Sequence, residues 1–366
     1  HNPISESIIT GESEIPDLNI DDDVYYNKDK ISYSSQPMKD FHNLYVKRKL
    51  ISSVSKKGDM LIDYACGLGG DLPKWIHANL SFVLGIDLYS DSIENRNDGI
   101  CVRYLESQKK YKSLPVSIFL NGDSAVNIRG GDAALNPKAS KILKSLFGTQ
   151  SKDDTLGKVV SKMYGKMKEG FHVSSCQFAF HYFFQNHTVL RGFMTNLAEC
   201  TKIGGYFIGT TYDGKKVFQD LKSKQSLKLK EGERRVWEIR KHYTNETFDD
   251  DSSCLGYRIS VYQDSINQEI SEYLVNFNYL KRVMEDYGFV PLTESELHEI
   301  GLKKSVGSFQ DMFNEMIHEI SSASNRNNKY KKAQEMSKLH KTISFYNNYF
   351  VFKKIRSVNV AKITLD

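Results

Sequence analysis

The stretch Leu61-Ile62-Asp63-Tyr64-Ala65-Cys66-Gly67-Leu68-Gly69-Gly70-Asp71 begins as an apolar run and breaks into a glycine-rich loop. This order is typical of a buried parallel strand that turns sharply beneath a ligand into the N-terminus of a helix. Glycine is needed in such a turn because it adopts positive φ and lets a ligand approach the backbone. Segment 71–76 predicts the first turns of that helix, with Asp71 at its N-cap and Pro73 near its start. The stretch therefore predicts an α/β fold built around one ligand site.

The loop carries acids that identify the kind of ligand. A dinucleotide site would have glycine at positions 67, 69 and 72, but position 72 is leucine. Asp63 and Asp71 would repel a pyrophosphate and attract a cation. S-adenosylmethionine (SAM) has an ammonium and a sulfonium group and no phosphate. Asp87 ends an apolar run about 20 residues beyond the glycines, where a carboxylate typically binds ribose hydroxyls, so the combination predicts a SAM site.

Length and cysteine content limit the class of protein. The 366 residues suffice for one elaborated α/β domain, and the first residue, His1, indicates an expressed fragment, which we expect to be monomeric. No apolar run approaches the ~18 residues needed to span a bilayer, and no signal peptide is visible. Five scattered cysteines without a Cys-x-x-Cys pair favour a reducing compartment and argue against structural zinc.

The net charge of +5 is unevenly distributed. Residues 1–30 hold eight acids and two lysines, a balance of −6, so the remaining 336 residues carry +11. Their acidic, poorly periodic composition predicts that residues 1–36 form a flexible linker or N-terminal arm ahead of a domain at 37–366. A basic body suits a polyphosphate or nucleic-acid partner, although many basic surfaces merely keep a protein soluble.

Predicted helices and strands alternate along the domain. A helix is predicted over 38–57, and strands follow the glycine loop at 81–86, 116–120, 171–176 and 206–212. Residues 125–170, rich in lysine, glycine and serine, predict an insertion with short helices. Beyond residue 213 the pattern predicts added elements: strands at 234–240, 257–263 and 270–277, helical segments around 289–340, and a last strand at 343–353. By pattern alone, Glu272 in one of these strands faces solvent.

Polar residues follow two of the predicted parallel strands. Asp123 lies after the third strand, where such folds hold a nucleobase, although a turn before a loop explains it equally well. The fourth strand runs into Gln177-Phe178-Ala179-Phe180-His181-Tyr182-Phe183-Phe184. A buried aromatic cluster is the usual explanation for this density. The polar ends of Gln177, His181 and Tyr182 need partners, however, which favours a binding site.

Several of these segments, in this order, resemble the eukaryotic and viral mRNA cap guanine-N7 methyltransferases. The matching residues are Asn43, Lys47, Asp63–Asp71, Asp87, Asp123-Ser124, Ser174–Tyr182, Gly204–Thr211 and Glu272–Val275. The resemblance covers roughly residues 38–124 and 171–354, and is similar to the methyltransferase part of a multifunctional capping enzyme from a cytoplasmically replicating virus. It implies a doubly wound class I SAM-dependent methyltransferase fold with a mostly parallel seven-stranded sheet. The antiparallel strands and helices added at about 213–340 would form the cap-binding side.

The resemblance also implies two sets of site residues and no metal. The SAM pocket would be lined by Lys47, Asp63, Ala65, Gly67, Asp87, Leu88, Asp123, Ser124, Gln177 and Tyr182. The cap pocket would be lined by Asn43, Lys74, Arg103, Phe178, His181, Glu272 and Tyr346. Family members usually have glycine at the position of Ala65 and lysine at that of Leu68, so one cationic contact to the cap triphosphate is missing. Arg103 matches only with an insertion, and without a gap the position of Tyr346 falls on Asn347.

The implied reaction is methyl transfer from SAM to N7 of the cap guanine of capped RNA, leaving S-adenosylhomocysteine. Guanine N7 is unprotonated at neutral pH, so no general base is needed. Positioning by Tyr182, His181 and Glu272 can supply on the order of 7–11 kcal/mol of the barrier. Two alternatives remain: a methyltransferase acting on a small molecule or protein, and a non-catalytic methyltransferase-like capping subunit, which would be expected to lose the SAM acids.

The resemblance further implies a cellular setting. The partners would be capped RNA and the triphosphatase and guanylyltransferase domains upstream in the same polypeptide, with no membrane partner. The place of action would be the viral factory in the host cytoplasm, with the virion as a second location.

Overall fold

The computed structural model describes residues 35–264, 267–322 and 329–365, so the predicted arm at 1–36 lies almost entirely outside the described residues. The α-helices are α1 (Gln36–Asp40), α2 (Arg48–Val54), α3 (Leu72–His77), α4 (Ser90–Glu94), α5 (Ile100–Lys110), α6 (Pro137–Phe147), α7 (Lys158–Met163), α8 (His187–Cys200), α9 (Gly214–Leu221), α10 (Phe277–Asp286), α11 (Glu294–Ile300), α12 (Phe309–Ser322) and α13 (Lys338–Ser344). The strands are β1 (Met60–Asp63), β2 (Phe82–Asp87), β3 (Val116–Asn121), β4 (Phe171–Gln177), β5 (Thr201–Tyr212), β6 (Ser226–Glu231), β7 (Arg234–Lys241), β8 (Arg258–Gln263), β9 (Gln268–Tyr273), β10 (Phe289–Pro291), β11 (Val306–Ser308) and β12 (Asn347–Lys354).

The central sheet follows the order β10-β12-β5-β4-β1-β2-β3, and β11 pairs with β12 beside this path. Strands β3, β2, β1, β4 and β5 are parallel, and β12 runs antiparallel to β5. The predicted mostly parallel sheet of seven strands is confirmed for the main path, and the short β11 is an eighth strand. The strand order reverses between β1 and β4, and ligands bind at such a reversal, outside the carboxyl ends of the strands.

Strands β6 to β9 form a separate antiparallel sheet. Its strand β9 presents Glu272 to the interior, where the residue is 7% exposed, so the pattern-based prediction that Glu272 faces solvent is wrong. Both faces of β9 carry polar residues, so the alternation along the strand does not indicate a buried face. Glu272 is buried instead by the 3₁₀ helix Phe180–Phe184, which packs against this strand. Long-range packing decides the environment of this residue.

Two predicted boundaries are wrong because helices begin or end there. The strand predicted to reach Phe277 ends at Tyr273, since Asn276 caps α10 by accepting the N–H groups of Asn278 and Tyr279. The strand predicted from Ile343 begins at Asn347, since Ile343 belongs to α13. Strand β6, Ser226–Glu231, was not predicted, because charged residues interrupt its apolar positions.

The helix predicted over 38–57 contains a π-helical segment, Phe41–Lys47, between α1 and α2. Such segments are rare in proteins, and those that occur are often found at functional sites. The wider turn changes the direction of the side chains that it carries. The segment carries both Asn43 and Lys47, the two residues of this helix predicted to contact ligands. The apolar residues of 38–57 have the spacing of a regular helix, so the sequence did not predict the π-helical segment.

The predicted insertion at 125–170 contains helices α6 and α7. Asn136 caps α6 by accepting the N–H of Ala139, and Gly148 ends it in the left-handed conformation, with φ 69°. The ring of Phe147 contacts Phe171 edge-on at the amino end of β4, with the ring centres 6.1 Å apart. Helix α6 of the insertion therefore packs against the sheet at the edge opposite the predicted ligand site.

Two further observations concern membranes and cysteines. Within the ranges described above, no helix is both long and apolar enough to span a bilayer. All five cysteines are buried, and none of them forms a disulfide within the described residues.

Candidate active site

A cavity of about 360 Å³ opens at the carboxyl edge of the central sheet. Its walls come from the ends of four parallel strands, through Ala65 after β1, Asp87 in β2, Asp123 after β3 and Gln177 in β4. Of the residues predicted to bind SAM, those that line this cavity are Lys47, Ala65, Gly67, Asp87, Leu88, Asp123, Ser124, Gln177 and Tyr182. The tenth, Asp63, is buried beside them and accepts the N–H of Ala65 at 3.1 Å. We call this space the SAM cavity.

The glycine loop and Asp87 are held together by the backbone. The Asp87 carboxylate accepts the N–H of Gly67 at 2.7 Å and that of Tyr89 at 3.1 Å. Gly67 and Gly69 both adopt positive φ, and a Cβ on Gly69 would lie 2.6 Å from the Ile100 side chain. Burial raises the pKa of Asp87, and the two N–H groups oppose that rise. The turn thus holds a carboxylate at the end of β2, where a ribose would be bound.

Two acids and two lysines form a buried cluster next to this loop. Asp71 receives Lys47 Nζ and Lys74 Nζ, each at 2.8 Å. Although burial alone would raise the pKa of Asp71, the two lysines hold it well below its usual range. Burial, and then the charge of Asp71, raise the pKa of Asp63 to about 8. A cationic ligand beside Asp63 would favour the ionised form of the Asp63 carboxyl. The negative charge of Asp71 is already balanced by the two lysines.

Asp71 occupies the predicted N-cap position of α3, but its side chain makes no capping hydrogen bond. Its carboxylate is used instead for the two lysines. The sequence predicted the position of Asp71 correctly and its role in the helix incorrectly.

The far side of the SAM cavity contains a strained aromatic residue, Phe178. It adopts φ 56°, a left-handed conformation that is unfavourable for a bulky side chain, and its N–H donates to the Thr210 carbonyl at 2.9 Å. Its ring contacts Phe309 edge-on, and Lys47 Nζ lies 5.8 Å from the ring centre. Such strain persists where surrounding packing fixes the residue, and it clusters at ligand sites.

A second buried site adjoins this cavity at His181 and Glu272. His181 Nε2 lies 3.7 Å from Glu272 Oε2, beyond hydrogen-bond distance, and neither atom has a hydrogen-bond partner among the described residues. Burial lowers the pKa of His181 to about 3 and raises the pKa of Glu272 to about 8. Both side chains are therefore mainly neutral at pH 7, and the contact is not an ion pair. Their sequence neighbours Tyr182 and Tyr273 line the SAM cavity, so the two sites share a wall.

The structure brings together two further residues predicted for the cap pocket. Lys74 Nζ donates to Asn43 Oδ1 at 3.0 Å and to the Gly70 carbonyl at 2.7 Å. Burial lowers the pKa of Lys74 to about 8, and Asp71 opposes that effect. The pair lies directly against the glycine loop and links it to the π-helical segment.

Two residues predicted for the cap pocket, Arg103 and Tyr346, do not line the SAM cavity. Arg103 lies on α5 and is not among the residues that line the SAM cavity. The Tyr346 ring stacks on Trp237, with centres 5.4 Å apart, and its hydroxyl donates to Asp220 at 2.6 Å. The alternative residue, Asn347, is buried and donates to the Ser344 carbonyl. The cap-pocket roles of Arg103 and Tyr346 stay predictions.

Sequence reasoning missed several residues that line the SAM cavity, among them Tyr64, Tyr89, Ser92, Val189 and Tyr273. Tyr89 could have been found, because it lies two positions beyond Asp87. Val189 and Tyr273 come from distant segments, and no local pattern marks them. Among the described residues no cluster of three or more His, Cys, Asp and Glu side chains is placed to hold a metal ion.

Comparisons with known proteins point to one family. Residues 23–355 match the model of the mRNA (guanine-N(7))-methyltransferase domain. The chain is 26% identical over 400 residues to a protein of Acanthamoeba polyphaga mimivirus named "Probable mRNA-capping enzyme", covering 99% of this chain and 32% of that protein. It is 26% identical to mRNA cap guanine-N(7) methyltransferase 1 of Arabidopsis thaliana, covering 70% of this chain and 60% of that protein. The match to the Saccharomyces cerevisiae mRNA cap guanine-N(7) methyltransferase is also 26% and covers 69% and 50%.

The chain thus spans between about a third and 60% of the length of these relatives. Among solved structures, an S-adenosylmethionine-dependent methyltransferase from Clostridium acetobutylicum ATCC 824 matches with a TM-score of 0.44 and 10% identity, covering 87% of this chain and 92% of that one. Because the family model matches most of the sequence, the chain belongs to the mRNA (guanine-N7)-methyltransferase family.

Proposed function

We propose that the chain transfers a methyl group from SAM to N7 of the guanine cap of capped RNA. The observation that carries this proposal is the pair His181 and Glu272, whose buried Nε2 and Oε2 atoms have no hydrogen-bond partner among the described residues. A buried polar atom without a partner costs about 1–3 kcal/mol. A ligand that pairs with both atoms removes that cost, which favours a base with several polar edges.

Guanine suits this pair better than adenine. Its N1–H and N2–H groups would donate to an ionised Glu272, whereas adenine offers no such pair of donors. His181 would contribute its ring N–H to O6 or to another oxygen acceptor on the N7 side. A site built to hydrogen-bond one base discriminates strongly against another that leaves its buried groups unpaired.

The reaction requires positioning more than acid–base chemistry. SAM supplies an activated methyl group on its sulfonium, and guanine N7 carries a free lone pair. Holding the two atoms in line can supply on the order of 7–11 kcal/mol of the barrier. In this proposal Tyr182, His181 and Glu272 orient the base, and no residue of the chain acts as a general base.

The remaining site residues divide between the two ligands. On the SAM side, Lys47 faces the methionine carboxylate, Asp63 the ammonium, Asp87 the ribose, and Asp123 the adenine amino group. On the cap side, Asn43 and Lys74 face the ribose and phosphates. The adjoining walls of the SAM cavity and of the pair His181–Glu272 support this division.

We also propose that the chain acts beside triphosphatase and guanylyltransferase domains of a longer polypeptide, in the host cytoplasm. The match to about a third of a viral protein named as a capping enzyme supports a longer polypeptide with further parts. The proposed nucleic-acid partner is the capped 5′ end of RNA.

The test is transfer of labelled methyl from SAM to GpppA and GpppG, with digestion of the product to locate the label. ApppA, which lacks the cap guanine, is the matched control substrate. We expect label on guanine N7 and none on ApppA. Measurable SAM binding without transfer to either guanine cap would overturn the proposal.

A further inference from the structure

A second groove lies on the outer side of the helices that carry Asn43 and Lys74. It has a volume of about 190 Å³, and none of the residues that line it lines the SAM cavity. Its rim is formed by Arg48 at the start of α2, His77 at the end of α3, and Lys329. We call this space the basic groove.

Basic side chains lie together at the rim of the basic groove. Arg48 Nη2 lies 3.2 Å from both ring nitrogens of His77. Burial, and then the charges of Arg48 and Lys329, lower the pKa of His77. Within the described part of the chain, no carboxylate forms an ion pair with Arg48, His77 or Lys329. An anion between these side chains would relieve the repulsion between Arg48 and Lys329 and would favour the protonated form of His77.

The one carboxylate in the groove, Glu319, is already engaged. It accepts the hydroxyls of Tyr45 at 2.8 Å and Tyr330 at 2.7 Å, and Lys49 Nζ lies 3.4 Å away. These donors hold the Glu319 carboxylate in place, and Lys49 balances its charge. Lys49 Nζ also pairs with Glu315 at 2.9 Å, so the positive charges of the lining that have no ion pair among the described residues are those of Arg48 and Lys329.

The basic groove continues a contact that belongs to the proposed cap site. Lys74 and His77 are one turn apart on α3, and their partners Asn43 and Arg48 are about one turn apart across the end of the π-helical segment. One helical turn advances about 5.4 Å. A chain of phosphates leaving the Asn43–Lys74 contact along these helices would therefore reach the groove next.

We infer that the basic groove binds a backbone phosphate of the RNA just beyond the cap. This inference rests on the proposed function, because it takes the cap to lie at Asn43 and Lys74. The groove would contribute affinity without sequence preference, since phosphate contacts position a nucleic acid and do not read its bases. It would act on capped RNA and not on the free cap dinucleotide.

The experiment compares kcat/KM for methyl transfer to GpppA and to a capped RNA on the order of ten nucleotides long. Arg48→Ala should leave GpppA within about twofold and lower kcat/KM on the capped RNA about tenfold, through KM. The slope of log affinity against log salt for the capped RNA should fall by about 0.7 when one phosphate contact is lost. Arg48→Lys should retain most of the effect of RNA length, and Lys329→Ala should reproduce part of the loss.

Lys57→Ala is the charge-matched control, because Lys57 is exposed beyond the end of the same helix and lies outside the groove. It should behave as wild type. An equal loss on GpppA and RNA in Arg48→Ala would assign Arg48 to the fold or cap site and overturn the inference, as would no loss on RNA. Anisotropy of labelled capped RNA gives a readout without methyl transfer, so wild-type protein that binds RNA but methylates nothing would overturn only the proposed function. Equal RNA binding by wild type and Arg48→Ala would overturn only the groove.

Discussion

The SAM cavity and the pair His181–Glu272 share a wall but differ in whether their polar side chains already have partners within the protein. Around the SAM cavity the acids are paired within the protein: Asp87 accepts two backbone N–H groups, and Asp71 receives two lysines. At His181 and Glu272, two buried polar atoms have no hydrogen-bond partner among the described residues. The acids beside the SAM cavity thus have partners within the protein, whereas the facing atoms of His181 and Glu272 have none among the described residues.

This difference predicts how each site responds to change. A preorganised site loses affinity when one of its internal contacts is removed, since the loop around it relaxes. A site whose buried polar groups have no partner in the free protein loses specificity and rate when one of those groups is removed. The folded state then gains stability, because a buried polar atom without a hydrogen-bond partner is no longer present. Ligand binding and folding stability should thus change in the same direction at the SAM cavity and in opposite directions at Glu272.

Replacing Glu272 with glutamine should have the largest effect. Glutamine keeps the size of the side chain but puts an N–H group against the guanine donors, so kcat/KM for capped RNA should fall at least about a hundredfold. SAM affinity should stay within about twofold, because Glu272 does not line the SAM cavity. Methyl-transfer kinetics and calorimetric SAM titration measure the two quantities.

Glu269→Gln is the matched control, since Glu269 lies on the same strand but is exposed and accepts the Ser260 hydroxyl. It should leave both quantities unchanged. A parallel loss of SAM affinity in Glu272→Gln would mean that the two sites are not independent, and the comparison would fail.

The second-largest effect is expected for Asp87→Asn. The amide can accept from Gly67 or Tyr89 but places its own N–H groups against the other donor, so the glycine loop loosens and the ribose acceptor weakens. The SAM dissociation constant should rise about 10- to 100-fold, as expected when a charge-assisted hydrogen bond is lost. Asp91→Asn is the control, because Asp91 is exposed on α4 and its carboxylate accepts the side-chain amide of Asn95. Unchanged SAM affinity in Asp87→Asn would remove the cavity from the proposed SAM site.

The pH dependence of cap methylation offers a third test. Burial raises the pKa of Glu272 to about 8, and the neutral acid places its O–H against the guanine donors. At saturating SAM, kcat/KM for capped RNA should therefore fall about tenfold for each pH unit below that value. His181 does not titrate in this range, since burial lowers its pKa to about 3.

The variant Glu272→Gln should show a flat pH profile. A persisting pH dependence in that variant would assign the titration to Asp63, whose pKa is also raised to about 8. Linkage gives a second readout. Because the folded pKa of Glu272 lies above its ordinary 4.5, the stability that it contributes is present at low pH and is lost as pH rises through about 8. Above that pH, Glu272→Gln should unfold at a higher temperature than wild type.

The sequence correctly predicted which residues meet at the carboxyl edge of the parallel strands, because the determinants of that edge are local. The strand, the glycine loop and the acid at the end of β2 lie within one βαβ unit, so their spacing alone indicates a shared edge of the sheet. Asp63, Gly67 and Asp87 could be named without any knowledge of distant contacts. The five parallel strands followed from the same alternation of apolar runs and helices.

The other side could not be predicted from local pattern because its determinants are distant in sequence. The burial of Glu272 depends on the 3₁₀ helix Phe180–Phe184, and nothing in the alternation of β9 reveals it. The π-helical turn at Phe41–Lys47 has no distinct apolar period, so a regular helix was predicted. The resemblance to a family supplied Glu272 where the pattern failed, since family motifs record long-range contacts.

The smallest effect is expected for Tyr346, because its side chain already has partners within the protein. The resemblance implies a cap contact, whereas its ring stacks on Trp237 and its hydroxyl donates to Asp220. Tyr346→Phe should therefore change kcat/KM for capped RNA by less than about threefold and lower the free energy of unfolding by about 1 kcal/mol, the usual value of one hydrogen bond.

Asp220→Asn should produce a similar loss of stability, and the double variant should add little further, because both changes break one bond. A tenfold loss of cap methylation in Tyr346→Phe but not in Asp220→Asn would show that the hydroxyl serves the cap. The site at His181 and Glu272 would then extend to the residue that precedes β12.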